Sequence, residues 1–186
     1  MDRGQEIYNE AMELYELEDF DNAYVRFLVA AKDYENVPAM YMLGIMLIAM
    51  KDYENALTFI RSAAFHNYPQ ALSCLGALFY AGDIIEGDEK KALELFLQAS
   101  ELGDHNADVF IGFIYSDGEI VDRDTKKAFE YFLKGAKFGN AEAQYNVGLC
   151  YEDGIGVIKD ANEAYKWYVK AAEQEHEKAK EKISID

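Results

Sequence analysis

The chain of 186 residues contains little that would stop helices or cross-link the fold. It has only two prolines and thirteen glycines, a profile that favours helices over a β-sandwich or a barrel. Its two cysteines, Cys74 and Cys150, are too few for a disulfide scaffold. We therefore interpret them as free buried thiols in a reducing compartment.

Long apolar runs are also missing. The most apolar stretch, residues 40–50, is too short to cross a bilayer. The first six residues lack the basic-then-apolar layout of a signal peptide. We expect a cytoplasmic protein with no membrane partner.

Basic residues are scarce relative to acidic ones. Eighteen Lys and Arg stand against 35 Asp and Glu, which gives a net charge of −17. Such a field repels nucleic acid and anionic membranes, and no basic patch with interleaved aromatics offsets it. Residues 1–36 alone carry ten acids and three bases. A basic partner at this end fits the charge, although acidic side chains facing solvent would account for it equally well.

What the chain does have is a repeat of 33 to 36 residues. Alanines recur at this spacing, each preceded four positions earlier by Asp and followed four positions later by a bulky apolar residue. The alanines are Ala23, Ala56, Ala92, Ala128 and Ala164. The aspartates are Asp19, Asp52, Asp88, Asp124 and Asp160. The bulky residues are Phe27, Ile60, Phe96, Phe132 and Tyr168.

A second register places one small residue in each repeat. Its members are Ala11, Gly44, Gly76, Gly112 and Gly148. Glycine inside a helix costs about 1 kcal/mol, so its recurrence indicates that a neighbouring helix approaches closely there. An Asp before a helix caps the first turn and suits the helix dipole.

Together these registers predict that each repeat is a helix A, a turn and a helix B. Helix A is predicted at 5–17, 38–50, 69–81, 105–116 and 141–152. Helix B is predicted at 20–34, 53–66, 88–101, 125–138 and 161–174. A polar helix over 177–184 would form a terminal cap whose outer face meets water.

Residues 141–157, AEAQYNVGLCYEDGIGV, resemble the first half of a Sel1-like repeat, and residues 160–172 resemble its second half. Repeats beginning near 69 and 105 match less fully. The first two lack a four-residue insertion and look more like tetratricopeptide units. The resemblance implies a single all-α domain over 1–186, a right-handed α–α superhelix of five helical hairpins plus a C-terminal capping helix. Its repeats would span about 5–36, 37–68, 69–104, 105–140 and 141–176.

Catalytic and metal-binding motifs receive little support. We interpret His66, His105 and His176 as exposed turn histidines that share no metal site. Gly154-Ile155-Gly156 lacks the strand and further glycines of a phosphate loop, and is interpreted as the last A–B turn. Residues 117–124 collect carboxylates without the calcium-loop spacing, so we expect an acidic turn that ends in the helix cap Asp124. We predict no cofactor and no metal.

By resemblance to tetratricopeptide arrays, three positions on each helix A should face a concave groove. Aromatic and apolar residues predominate there, and tyrosine suits protein recognition because it joins a large apolar area to a hydroxyl. Packing between neighbouring helices would equally explain why these positions are aromatic or apolar. The candidate partner-binding residues are Tyr8, Met12, Tyr15, Tyr41, Ile45, Ile48, Tyr80, Val109, Phe113, Tyr145, Leu149 and Glu152.

Three hypotheses of function follow. The first is a non-enzymatic adaptor that binds a protein or peptide, with an immunity or antitoxin-type inhibitor of an enzyme as its narrower form. The second is a weak hydrolase that uses Glu142 and Glu152, whose separation of roughly 15 Å along one helix exceeds that of paired catalytic carboxylates. The third is self-association through the apolar face, although a monomer is the expected state.

Overall fold

The computed structural model describes residues 2–184, and these form eleven α-helices and no strand. Contacts group them into two units, one ending at Gly87 and the other beginning at Asp88. The all-α class, the number of helices and their order are confirmed. A single domain over the whole chain stays a prediction.

The first unit contains two helical hairpins followed by one more helix. Each helix packs against the next one along the chain. The largest fully buried side chains of this unit are Phe27, Leu43 and Ile60. The helices are α1 (Arg3–Glu16), α2 (Phe20–Tyr34), α3 (Val37–Ala49), α4 (Tyr53–Phe65) and α5 (Pro69–Ala81).

The second unit begins with one helix, continues with two hairpins and ends with the short cap. Its core includes Phe96, Ile111, Ile114 and Val147, all fully buried. The helices are α6 (Glu89–Glu101), α7 (Ala107–Asp117), α8 (Thr125–Lys137), α9 (Ala141–Asp153), α10 (Ala161–Glu173) and α11 (Glu177–Ile183).

The repeated aspartates cap the B helices as predicted. Asp88 and Asp124 each accept a hydrogen bond at 3.0 Å from the backbone N–H three residues later. Asp19, Asp52 and Asp160 do the same for α2, α4 and α10. Because a capped first turn satisfies amides that would otherwise lack a partner, each Asp determines where its helix begins.

The A helices end in two different ways. Helices α5, α7 and α9 each end at a glycine with positive φ: Gly82 at 70°, Gly118 at 76° and Gly154 at 75°. A connection of several residues then leads to the next cap. Helices α1 and α3 instead turn at once into the cap, through Glu18 (φ 61°) and Lys51 (φ 62°). The first two repeats therefore have tight A–B turns, and the later ones have long loops.

Two predicted helix starts are wrong by two residues. Helix α1 begins at Arg3 rather than at 5, because Asp2 caps its first turn by accepting from the N–H of Gly4. Helix α7 begins at Ala107 rather than at 105, because Asp104 makes a turn ahead of it. The Asp104 carboxylate accepts from the N–H of Asn106, and its carbonyl accepts from the N–H of Ala107. The cap helix α11 agrees with its prediction: Ala179 is fully buried, while Glu177, Lys178 and Glu181 are exposed.

Candidate protein-binding cleft

The first unit has an apolar cleft between α2 and α3, and α1 contributes Tyr15 to its lining. Its volume is about 610 Å³. Only one of its lining side chains, Asp21, is charged. The lining residues are Tyr15, Phe20, Asp21, Tyr24, Val25, Ile45, Met46, Ala49 and Met50.

The rim of the cleft is unusually exposed for apolar side chains. Phe20, Val25 and Met50 are 49%, 55% and 65% exposed. Tyr15 packs edge-on against Phe20, with 5.2 Å between the ring centroids. Since large apolar side chains that cluster at the surface mark contact sites, this cleft is the strongest candidate for partner binding in unit one.

Its charge is acidic. Residues 1–87 carry fourteen Asp and Glu against five Lys and Arg. One of these bases, Arg26, is paired with Glu10 at 3.4 Å. Asp21 lies in the first turn of α2, directly on the cleft. The site therefore presents an apolar floor with a negative edge.

The structure brings together two of the seven residues predicted for this unit. Tyr15 and Ile45 both line the cleft. Tyr8 packs against Phe27, and Tyr41 against Tyr68, with ring centroids 5.8 and 5.5 Å apart. Met12, Ile48 and Tyr80 are half-buried. The α2 side of the cleft was not predicted, because the binding surface expected from the sequence lies on A helices alone.

In the second unit, Val109 does not face a groove. Its side chain is 7% exposed and belongs to the hydrophobic cluster that includes Phe132 and Val147. Phe113 packs against the same cluster, with its ring 5.2 Å from that of Phe132. The short Val109 side chain is buried among larger neighbours, so the proposed surface does not include it.

The end of the chain covers two of the remaining candidates, while Leu149 is half-buried. Tyr145 stacks on His176 with 4.7 Å between centroids and packs against the cluster of Ala171, Ala172 and Ala179. Glu152 accepts hydrogen bonds from Lys182 Nζ at 2.7 and 3.0 Å. Residues 176–182 thus occupy part of the surface that was assigned to a partner.

The electrostatics of Glu152 weigh against the hydrolase hypothesis. The hydrogen bond from Lys182, followed by one from the Tyr168 hydroxyl, lowers the pKa of Glu152 below its usual value. A general acid in a glycosidase-type pair needs a raised pKa. The other carboxylate, Glu142, is paired with His176 Nε2 at 2.9 Å. Both carboxylates therefore hold the C-terminal segment.

A buried polar network joins three helices of the second unit. Asp108, fully buried on α7, accepts from the Ser100 hydroxyl of α6 at 2.5 Å. Lys134 of α8 lies 3.4 Å from the same carboxylate and donates to the Ser100 backbone carbonyl at 3.2 Å. His105 Nδ1 lies 2.8 Å from the other oxygen of Asp108. This network was not predicted, although Asp108 is visible in the sequence at the position where repeats three and five have Leu72 and Gln144.

The prediction of exposed histidines is right for His66 and wrong for the other two. His66 is exposed, whereas the side chains of His105 and His176 are 18% and 13% exposed. His105 stacks on Phe138. His176 caps α11 by accepting from the N–H of Ala179 at 3.2 Å. His105 thus connects the start of α7 to the end of α8, and His176 connects α9 to the cap helix α11.

Both cysteines are free thiols. Cys150 is buried and Cys74 is half-buried. Burial raises the pKa of each thiol to about 11. A thiol that stays protonated at neutral pH is a poor nucleophile, which suits a packing role.

Within residues 2–184, no three His, Cys, Asp or Glu side chains are grouped so that they could hold a metal ion. In the same range, none of the helices combines the length and apolarity that a bilayer crossing requires.

Capped helical hairpins that repeat every 33 to 36 residues, with a small residue of one helix against a bulky residue of the next, define an all-α repeat protein. The chain belongs to the Sel1 repeat family, whose model matches residues 37–64, 69–104, 106–140 and 141–176. The first repeat lies outside these ranges. No curated protein sequence matches the chain.

Solved structures agree with this assignment. A Sel1 repeat protein from Oxalobacter formigenes is 28% identical with a TM-score of 0.88, over 96% of this chain and 76% of that one. A protective antigen of uropathogenic Escherichia coli with an SLR fold is 22% identical with a TM-score of 0.82, and the match covers 97% of this chain and 40% of that protein. An immunity protein from Pseudomonas aeruginosa is 20% identical with a TM-score of 0.69, over 96% and 68% of the two chains. The last two show likeness of fold alone.

Proposed function

We propose that this protein is a non-enzymatic scaffold that binds a basic protein or peptide, with the cleft between α2 and α3 as the central contact. One observation carries the proposal: the apolar lining ends in a rim of Phe20, Val25 and Met50 that is about half exposed or more. Burying such side chains against a partner contributes about 25 cal/mol for each Å² of apolar surface removed from water. Membership of a family of repeat scaffolds supports the same function.

The charge of the site supports a basic partner. Asp21 borders the cleft, and the whole chain carries a net charge of −17. Such a field accelerates encounter with a cationic partner and is screened by salt. The association rate should therefore fall as ionic strength rises.

The decisive experiment is affinity capture with the intact protein and with the double variant Val25→Ser/Met50→Ser. Both positions are exposed, so the variant should fold normally, and the partner should be lost. Phe65→Ser is the matched control, because Phe65 is 84% exposed and lies outside the cleft. A partner that both variants retain equally would contradict the assignment of the cleft.

A narrower form of this function is an immunity-type inhibitor of a partner enzyme. The acidic charge and the fold shared with the Pseudomonas aeruginosa immunity protein support it. The captured partner would then be an enzyme whose activity falls to background at a molar ratio of one to one. Full activity of the complex would restrict the protein to the scaffold role.

Light scattering on the purified protein tests self-association through the same face. We expect a monomer, and Val25→Ser/Met50→Ser should leave its mass unchanged. A dimer that this variant dissociates would make a second copy the occupant of the cleft.

A further inference from the structure

In the last repeat, the long A–B loop covers the junction between α8 and α9, which corresponds to the cleft between α2 and α3. The loop of residues 154–159 lies against the start of α8: a Cβ built on Gly156 would come 2.1 Å from the carbonyl oxygen of Thr125. The next residue, Val157, packs on the hydrophobic cluster that includes Phe129 and Cys150. An aliphatic side chain on a loop thus seals the junction between α8 and α9.

The corresponding junction in the first unit lacks such a loop. Counted from the capping aspartates, Phe20 and Tyr24 of α2 occupy the positions of Thr125 and Phe129 of α8. Between α3 and its following cap there are only two residues, Met50 and Lys51, against the six of the long loop. This short connection has no counterpart of Val157, and the cleft lies at this junction.

The side chains at this junction also differ from those of the other repeats. Val25 lies six residues after its capping Asp and is 55% exposed. At the same position the other four repeats have exposed polar residues, namely Thr58, Glu94, Glu130 and Lys166. Val25 adds to the exposed apolar side chains of Phe20 and Met50 around the same cleft, and a cluster of this kind is typical of a contact site.

The charge differs as well. Asp21 lies two residues after its cap, where α8 has Lys126 and α6 has Lys90. The amide of Lys126 is one of the backbone groups that the Gly156 loop approaches, at 3.1 Å from the Cβ built on Gly156. In the first unit, the equivalent position therefore offers a carboxylate beside the open cleft.

We propose that a loop of the partner enters the cleft as the Gly154–Lys159 loop covers α8, placing a Val or Ile side chain between α2 and α3 and a neighbouring Lys or Arg beside Asp21. This inference rests on the proposed scaffold function and specifies the part of the partner that is recognised. An aliphatic side chain fits because the lining is apolar and the chain fills the matching junction with valine. A cation fits because Asp21 is the one charged residue of the lining.

The first test fills the cleft from within the chain. In the intact protein, Met50-Lys51 is replaced by Gly-Ile-Gly-Val-Ile-Lys, the sequence of residues 154–159. A matched graft carries Ser in place of its Val. We expect the Val graft to melt about 2–4 °C above the Ser graft, since its aliphatic side chain would be buried in the cleft. Equal melting temperatures would overturn the inference, because the cleft would not accept the side chain.

The second test supplies the loop from outside. A phage library of disulfide-constrained random loops is selected on the intact protein, and the enriched clones are measured on it and on variants. We expect the enriched loops to contain Val or Ile beside Lys or Arg. Their affinity for the Val graft should be at least ten-fold weaker than for the natural chain. The same loss is expected for Val25→Glu, which copies Glu130 of repeat four and leaves the loop unchanged. Asp21→Lys should weaken the clones with the cation.

The outcomes separate the two proposals. Clones that bind the Val graft and Val25→Glu as tightly as the natural chain would overturn the loop inference and leave the scaffold function standing. If the natural chain enriches no clone and captures no partner, both proposals fail.

Discussion

Gly112 of α7 lies directly against the ring of Phe132 of α8. A Cβ built on Gly112 would come 2.5 Å from the nearest ring carbon. The same relationship holds between Gly148 and Tyr168 at 2.4 Å. The absence of a side chain at these positions allows the two helices of a hairpin to approach closely, which explains why small residues recur in this register.

Gly112→Ala should therefore destabilise the protein. Alanine improves helix propensity by about 1 kcal/mol, but overpacking a core costs about 1–3 kcal/mol. Phe132 is 4% exposed and packs within the buried cluster that includes Val109 and Val147, so we expect the steric cost to prevail. Urea unfolding measures the change. The loss in the free energy of unfolding should be smaller when Phe132→Leu is also present. A Gly112→Ala protein more stable than the natural one would show that the Phe132 ring moves aside at little cost.

Asp108→Ala should cost about 2–3 kcal/mol in the free energy of unfolding. The hydroxyl of Ser100 is buried and would lose its acceptor, whereas Lys134 is 38% exposed and could turn to water. Glu163→Gln is the control, because its ion pair with Lys166 is on the surface, is screened by solvent and is expected to contribute much less. Equal effects of the two substitutions would show that the buried network adds nothing.

Docking of the cap helix α11 should weaken in acid. The pKa of Glu152 is lowered in the folded protein, chiefly by the hydrogen bond from Lys182. The ionised carboxylate therefore stabilises the folded protein fully above its unfolded pKa of about 4.3. This stabilisation is lost as the pH falls through the lower pKa of the folded state. Lys182→Met should speed hydrogen exchange in residues 177–183 at pH 7 and reduce this acid sensitivity, because the larger of the two hydrogen bonds that lower the pKa of Glu152 would be lost. Lys178→Met, an exposed neighbour, should change neither.

The two thiols should react slowly when the protein is folded. With a pKa of about 11, the thiolate fraction at pH 8 is roughly two-hundred-fold below that of a free cysteine, whose pKa is about 8.5. A thiol-reactive chromophore should label both residues at least that much faster in guanidinium. Because the folded pKa is raised, the thiols stabilise the fold below pH 8.5, and this contribution is lost between pH 8.5 and about 11. Equal labelling rates with and without denaturant would contradict burial as the cause.

Much of the fold follows from residues close together in the sequence. Asp88 caps α6 through an amide three positions away, and Gly118 ends α7 within one turn, so both ends could be predicted from local patterns. The start of α7 could not, because Asp104 captures two following amides in a turn that competes with the helix.

The site was only partly predictable. Tyr15 and Ile45 were identified from the register of the A helices, but Val25 and Phe20 belong to a B helix and were missed. The absence of four residues in the first two repeats was visible in the sequence. The consequence, an open cleft, could not be predicted, because it depends on the packing of the repeat-five loop against α8 and its hydrophobic cluster. The burial of Val109 likewise depends on neighbours from α8 and α9.

The sequence alone therefore determined the family, the order of the helices, the caps and the lengths of the loops, because each depends on a periodic pattern or on contacts within one turn. Only the tertiary structure decided which side chains remain exposed and which carboxylates are paired. Asp108 meets Lys134 across 26 positions, and Glu152 meets Lys182 across 30. Contacts at such separations depend on how whole helices pack, which no local pattern specifies.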